Sequence, residues 1–478
     1  MSPRPPRPPR PPRPARRSRR SNATLWSPAA PADALMMRYT VGDDPHWDAR
    51  LLRWDILGSL GHVEGLRRSR LLSPTAAGQL TAALRAALKA HASGRLRIAP
   101  RQEDAHTAVE VWLTRRIGNA GARVHTGRSR NDQVACDLRL YLKDALLDLH
   151  TGALELGKVL LDFAHSHRAA LWPGYTHQRR AMPSSAGLWA GGLAEGILTS
   201  AQALPGLFQR VDRSPLGSAA GYGVPLPLRR EAAMRALGFA ALDHVVTSVQ
   251  LSRGKLEAAV LSWCADLAHD LSRLAADVIQ FSGEEYGFLV LPPDLVTGSS
   301  IMPHKRNPDL FELTRGRAAA LEGDLDTVRA IKGGLTGGYH RDFQLLKEPL
   351  FRGLDRTGEM LAMLAHAMPR LGVDPARGLA AVAGEALVTD EVMRRVEAGR
   401  PFRLAYREVA AEHRAGRRFP EPARRDLIRR RNSTGALGNL ALPALRARIR
   451  TQLTWNRTTR RRFDRAMAGL AGRGNLSW

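Results

Sequence analysis

Cysteine is nearly missing from this chain: its 478 residues hold two, Cys136 and Cys264. That excludes a disulfide framework and a Cys-rich zinc site, and it fits a reducing cytoplasm. No apolar run reaches the roughly 18 residues a membrane span requires. Acid is also short, with 45 Asp and Glu against 72 Lys and Arg, for a formal charge of +27. There is no glycine-rich phosphate loop, dinucleotide fingerprint or internal repeat. No zinc-type spacing and no Gly-x-Ser-x-Gly elbow points to a hydrolase.

Residues 1–20 carry eight arginines and no acid. They lack the apolar stretch of a secretory signal and read as a disordered, partly polyproline II extension over 1–23. A second basic region runs from Arg424 to Arg465. Arginine in excess of lysine reads as coding bias, so nucleic acid is not the expected partner. A net positive field still draws an anionic substrate. With 44% hydrophobic residues, the chain can bury one large core or two to three domains.

Helical spacing dominates what remains. Between Lys255 and Phe281 there is no glycine or proline, and apolar residues fall at Leu256, Val260, Trp263, Leu267, Leu271, Leu274, Val278 and Phe281. Steps of three and four put these on one face of a helix about 40 Å long, a length suited to a bundle. Further helices are expected from Val134 to about Ala164, from Ser184 to about Leu204 with Pro205 ending or kinking it, and from Pro308 toward Ile331 through Leu310, Leu313, Leu321, Leu325 and Val328. Asp43 to Lys89 reads as another helical region, and shorter amphipathic pieces follow Gly372.

Polar clusters sit at the ends of these helices. Gly298-Ser299-Ser300-Ile301-Met302-Pro303-His304-Lys305-Arg306-Asn307-Pro308 is a mobile loop with a hydroxyl and nearby cations. His125-Thr126-Gly127-Arg128-Ser129-Arg130-Asn131-Asp132-Gln133 precedes a helix, where free backbone N–H groups and two guanidinium forks suit an anion. Glu103-Asp104-Ala105-His106 opens another helix. His177 lies between helices in Gly174-Tyr175-Thr176-His177, and Glu312 is a candidate to orient it as a proton donor. Tyr339, Gln344 and Lys347 follow two glycine pairs and suit the polar ends of a small molecule. Anion binders, one histidine and one loop serine without metal ligands point to proton transfer on a carboxylate substrate.

The loop from Gly298 to Pro308 resembles the pattern Gly-Ser-Ser-x-Met-Pro-x-Lys-x-Asn-Pro shared across the fumarase/aspartase superfamily. That leaves fumarase, aspartase and adenylosuccinate lyase open. His125 to Gln133 is similar to the argininosuccinate lyases specifically, and Gly174 to His177 and the Tyr339, Gln344, Lys347 spacing agree. The resemblance spans about Thr24 to Leu442. It implies reversible β-elimination of argininosuccinate to arginine and fumarate, with no cofactor and no metal. It also implies an all-α fold of three helical domains whose central bundle forms the core of a homotetramer, each active site shared between subunits. The divisions are then an N-terminal helical domain over 24–128, the central long-helix bundle over 129–372, and a small C-terminal helical domain with a basic tail over 373–478.

Carried over residue by residue, Ser299 is the candidate base and His177, oriented by Glu312, the candidate acid; the reverse assignment stays open. Lys305 and Asn307 are expected to stabilise the carboxylate charge of the intermediate. Asn131, Thr176, Tyr339, Gln344 and Lys347 match substrate-binding positions, with Ser129, Arg130, Arg253 and His106 as further carry-overs. Where the family reads Asn-Ala-Ser near the N-terminus this chain reads Gly42-Asp43-Asp44, so that serine contact is not carried over. The alternatives are a superfamily lyase for another succinyl adduct such as adenylosuccinate, or a non-catalytic scaffold.

Overall fold

Two side chains set the start of the longest helix. Ser129 Oγ accepts from Asn131 N at 3.3 Å, and Asp132 Oδ1 accepts from Ser129 N at 3.0 Å. This reciprocal cap opens Arg130–Ser166, four residues ahead of the first apolar position, because the polar stretch supplies the cap that periodicity alone does not show. The computed structural model describes residues 33–99 and 102–472. The arginine/proline extension expected over 1–23 lies outside them.

The Arg130–Ser166 helix buries Leu138, Leu142, Leu149, Ala153 and Leu156, as the spacing predicts, and also Leu140, Leu147 and Leu154. It is therefore wrapped by neighbours rather than packed on one stripe. Those neighbours are Leu52–Arg68, Ala186–Gln202, Lys347–Ala367 and Leu442–Ala471. Lys255–Ser282 and Asp309–Lys332 pack on each other beside Lys347–Ala367. All eight apolar positions read from Lys255–Ser282 are buried. Gly353 permits the close approach: a Cβ there would lie 2.4 Å from Leu261 Cδ2 and 2.8 Å from Leu321 Cδ1. The architecture is all-α, as expected, with three short two-stranded sheets among the described residues.

The Ala186–Gln202 helix stops close to the expected end near Leu204, and Pro205 sits in the first turn of a new helix, Leu204–Val211, where its missing N–H loses no hydrogen bond. Two local expectations need correction. Phe311, not Leu313, is the inward residue at the start of Asp309–Lys332, and Leu313 is 61% exposed. The stretch around His177 is a β-hairpin, Leu171–Thr176 against Arg179–Ser185, in the register Tyr175↔Arg180 and Thr176↔Arg179. Its strands are too short and too mixed in polarity to show a two-residue period.

The C-terminal region holds helices of two kinds. Val388–Glu397 packs on Phe402–Arg414 around Val392, Ala405 and Val409, apart from the main core. Leu442–Ala471 instead returns to the bundle and adds Leu445, Ile449, Phe463 and Met467 to that core. Its arginines meet bundle acids: Arg446 with Asp162 at 2.7 Å, Arg448 with Glu195 at 2.9 Å, and Arg460 with Asp148 at 2.6 Å. Arg462 also pairs with Asp212. The expected basic tail is thus a strap, held by an apolar stripe whose partner no local pattern could name.

Candidate active site

One cleft, of about 100 Å³, gathers residues from five separate stretches of chain. Arg130 and Asn131 enter it from the first turn of the long helix. Arg253 comes from the bend before Lys255–Ser282, and Tyr339, Gln344 and Lys347 come from the segment leading into Lys347–Ala367. These six are expected substrate-binding residues, and the fold brings them together.

The helix start at Ala105 fixes one wall. Asp104 caps it, its Oδ1 accepting from Thr107 N at 3.0 Å. His106 Nδ1 lies 3.0 Å from the same oxygen, and Arg130 Nε donates to His106 Nε2 at 2.8 Å. An Nε2 that accepts must carry its ring proton on Nδ1, so the imidazole is a fixed bridge from Asp104 to Arg130. Burial works to raise the Asp104 pKa, but His106 and Arg130 outweigh it and hold the carboxyl below its ordinary range. His106 braces Arg130 from behind and is not part of the cleft lining. Ser129, the helix cap, does not line it either. Arg128 is buried outside the cleft lining and donates to Ser59 Oγ at 2.9 Å.

The opposite wall was not legible in the sequence. Lys347 is 4% exposed and lies between two carboxylates, with Nζ 2.7 Å from Asp44 Oδ1 and also bonded to Asp48. Burial works against the ammonium, but Asp48 and Asp44 outweigh it and raise the Lys347 pKa. Burial pushes the Asp44 carboxyl up to about 6, Lys347 opposing and Asp48 adding to the rise. Gln344 Nε2 donates to Thr40 O at 3.1 Å and Val41 O at 3.0 Å, and Arg341 Nη2 to Thr40 O at 2.9 Å. The segment from Thr40 to Asp48, set aside in the sequence for lack of a serine, is the layer against which Gln344 and Lys347 are held.

The other expected site residues stand elsewhere. His177 and Gln178 form the two-residue hairpin turn, with φ of +52° and +60°. Such a turn favours asparagine and glycine, so a histidine there is held in a costly conformation at an exposed tip. Thr176 beside it is exposed as well. The serine loop is pinched at its neck by paired backbone bonds, Asn307 N to Thr297 O at 2.8 Å and Thr297 N to Asn307 O at 3.1 Å. The Asn307 carboxamide donates to Gly298 O at 3.2 Å. Ser299 Oγ accepts from Met302 N at 3.1 Å and Ile301 N at 3.3 Å. Lys305 is exposed, Ile301 is 83% exposed, and Glu312 is exposed in the first turn of the following helix. Among the described residues, no hydrogen bond or ion pair joins His177 to Glu312 or to Ser299, and none reaches the cleft from either. Also among the described residues, no cluster of three or more His, Cys, Asp or Glu is arranged to hold a metal ion, and no helix is long and apolar enough to cross a membrane.

Residues 31–323 match a family model described as Lyase. An argininosuccinate lyase of Sorangium cellulosum is 42% identical over 425 residues, covering 89% of this chain and 98% of that protein. Another, of Thermotoga neapolitana, is 38% identical over 81% of this chain and 98% of its own length. Among solved structures, EDDS lyase in complex with formate superposes with a TM-score of 0.76 at 21% identity, over 92% of this chain and 95% of that one. A class II fumarase of Schistosoma mansoni gives 0.67 at 16% identity, over 83% and 91%. The last two show the shared fold.

Proposed function

The chain belongs to the argininosuccinate lyase family, and from that premise we propose that it cleaves argininosuccinate reversibly to arginine and fumarate, the last step of arginine biosynthesis, in the cytoplasm. The observation that carries this is the convergence of Arg130, Asn131, Tyr339, Gln344 and Lys347 on one cleft from sequence stretches far apart.

The reaction removes a proton from the methylene carbon beside a carboxylate. The electron pair of that C–H bond forms the new C=C bond, and the C–N bond breaks with its pair going to the guanidine nitrogen, which takes up a proton. Negative charge builds on the neighbouring carboxylate as the proton leaves, so fixed donors must face it. We assign Ser299 as base. Two backbone N–H groups already aim at its Oγ, and hydrogen bonds to the anionic form of a hydroxyl lower its pKa. Lys305 and Asn307 on the same loop stabilise the carboxylate charge once the loop closes, which requires Asn307 to exchange Gly298 O for substrate. His177, oriented by Glu312, gives the proton to the leaving nitrogen.

These groups act together only if the hairpin tip and serine loop of other copies reach the cleft of this one. We therefore propose a homotetramer with sites shared between subunits. Exposed apolar residues support the reading: Ile301 on the loop at 83%, Leu313 beside Glu312 at 61%, and Leu345 beside the cleft at 66%. The test is to supply argininosuccinate to purified protein and follow fumarate in the ultraviolet. Steady fumarate release is expected; a tetrameric, folded protein that releases none overturns the assignment.

A further inference from the structure

Among the described residues, two charged side chains that line this cleft each leave one buried atom without a hydrogen-bond partner. Glu103, only 9% exposed, accepts from Arg130 Nη1 at 3.1 Å through Oε2, but its Oε1 meets no donor. Arg253, 6% exposed, donates Nε to Glu257 Oε1 at 3.0 Å and Nη2 to Phe343 O at 3.4 Å, while its Nη1 meets no acceptor. Both residues line the cleft. A buried carboxylate oxygen or guanidinium N–H without a partner is costly, and such groups persist where a ligand completes them.

The two orphans carry opposite signs, the complement of a zwitterion. Resting on the proposed reaction, the substrate offers such an end in the α-ammonium and α-carboxylate of its arginine half, away from the bond that breaks. Its other end must reach Ser299 and His177, neither of which lies in this cleft, so the unreactive end is the one left to go inward. The cavity, about 100 Å³, is sized for a small polar group. We propose that Glu103 Oε1 accepts from the α-ammonium of the arginine half and that Arg253 donates to its α-carboxylate, making this pair the determinant of specificity for a free amino acid at that end.

The experiment runs the assembled enzyme in the synthetic direction, with arginine and fumarate. Glu103→Gln keeps the size of the side chain and an acceptor for Arg130 but removes the charge. The expected result is a rise in KM for arginine of about tenfold or more, with KM for fumarate within about twofold of wild type. With Nα-acetylarginine, which has no ammonium, wild type and Glu103→Gln should give the same low kcat/KM. Glu103→Asp, which retains the carboxylate, should recover part of the arginine KM. Equal rises in both KM values, or a fall in kcat alone, would overturn the proposal and leave Glu103 as a brace for Arg130. The same penalty on Nα-acetylarginine would also overturn it, by placing the guanidinium end at Glu103. Calorimetric binding of arginine against Nα-acetylarginine gives a reading that does not need turnover. A wild type that discriminates between them through Glu103 yet makes no product would sink the reaction and not the subsite.

Discussion

The cleft around Arg130 and Lys347 and the pair formed by the hairpin tip and serine loop are built in opposite ways. In the cleft, charges are buried or half-buried and paired within one chain at its two walls: Lys347 with Asp44 and Asp48, and Arg130 with Glu103, Asp104 and His106. At the hairpin and loop, His177, Lys305 and Glu312 are exposed, and backbone shape rather than side-chain packing sets their positions. The contrast shows where the fold spends its rigidity. The cleft is preorganised by buried ion pairs, and the hairpin and serine loop present their polar side chains on the surface of the chain.

The sharpest way to break the contrast is to remove the cation at the centre of the cleft. Lys347→Met leaves two buried carboxylates without their counter-ion and should cost about 3–5 kcal/mol of stability, read as a lowered urea midpoint. An unchanged midpoint would mean that the pairing with Asp44 and Asp48 carries no weight. Next in size, His177→Asn should lower kcat by at least about 10²-fold, or roughly 2.7 kcal/mol, with the unfolding midpoint hardly moved. A near-normal rate would remove histidine from the chemistry.

Acid should separate the two regions in a graded way. His62, 4% exposed, sits behind the His125 to Gln133 stretch with Nε2 2.9 Å from Thr126 O. Burial, with Arg128 nearby, pushes its pKa down to about 3. A folded pKa below the unfolded value of about 6.5 means that the unfolded chain binds the proton first, so the stability from neutral His62 is present above pH 6.5 and is lost as pH falls toward 3. At pH 5 the loss is about 2 kcal/mol. Asp44 and Asp132, both raised to about 6 by burial, act in the opposite sense between about pH 6 and 3.8, so the comparison must be with a variant. Relative to His62→Gln, the wild type should lose about 2 kcal/mol between pH 7.5 and pH 5; parallel profiles would refute it. The smallest stability effect belongs to the loop. Lys305→Met should shift stability by less than about 0.5 kcal/mol while lowering turnover steeply, and a large loss of stability would show the loop to be part of the packed body.

The long helices were legible because their signal is local. The eight inward residues from Leu256 to Phe281 repeat every three or four positions, and burial follows directly. The polar clusters were legible as chemistry for a similar reason: residues that act together on one helix start or one loop are close in sequence. The hairpin was not legible, because His177-Gln178 is a poor turn signal and its strands show no clear alternation. Asp44 was not legible, because its partner Lys347 lies 303 residues away and the usual serine is replaced. Asp104 and His106 read as a cap with a neighbour, and only three dimensions made them a brace for Arg130.

By itself, then, the sequence determined the helical class, the positions of the capped helix starts and the residues able to bind anions and move protons, since periodicity, capping and side-chain chemistry all act over a few residues. Only the tertiary structure decided which of those residues share a cleft, that Lys347 and Gln344 rest on the segment from Thr40 to Asp48, and that His177 stands at an exposed tip while Ser299 is half-buried in its own loop. Those outcomes depend on burial and on Coulomb pairing between distant segments, which exist only once the helices have packed.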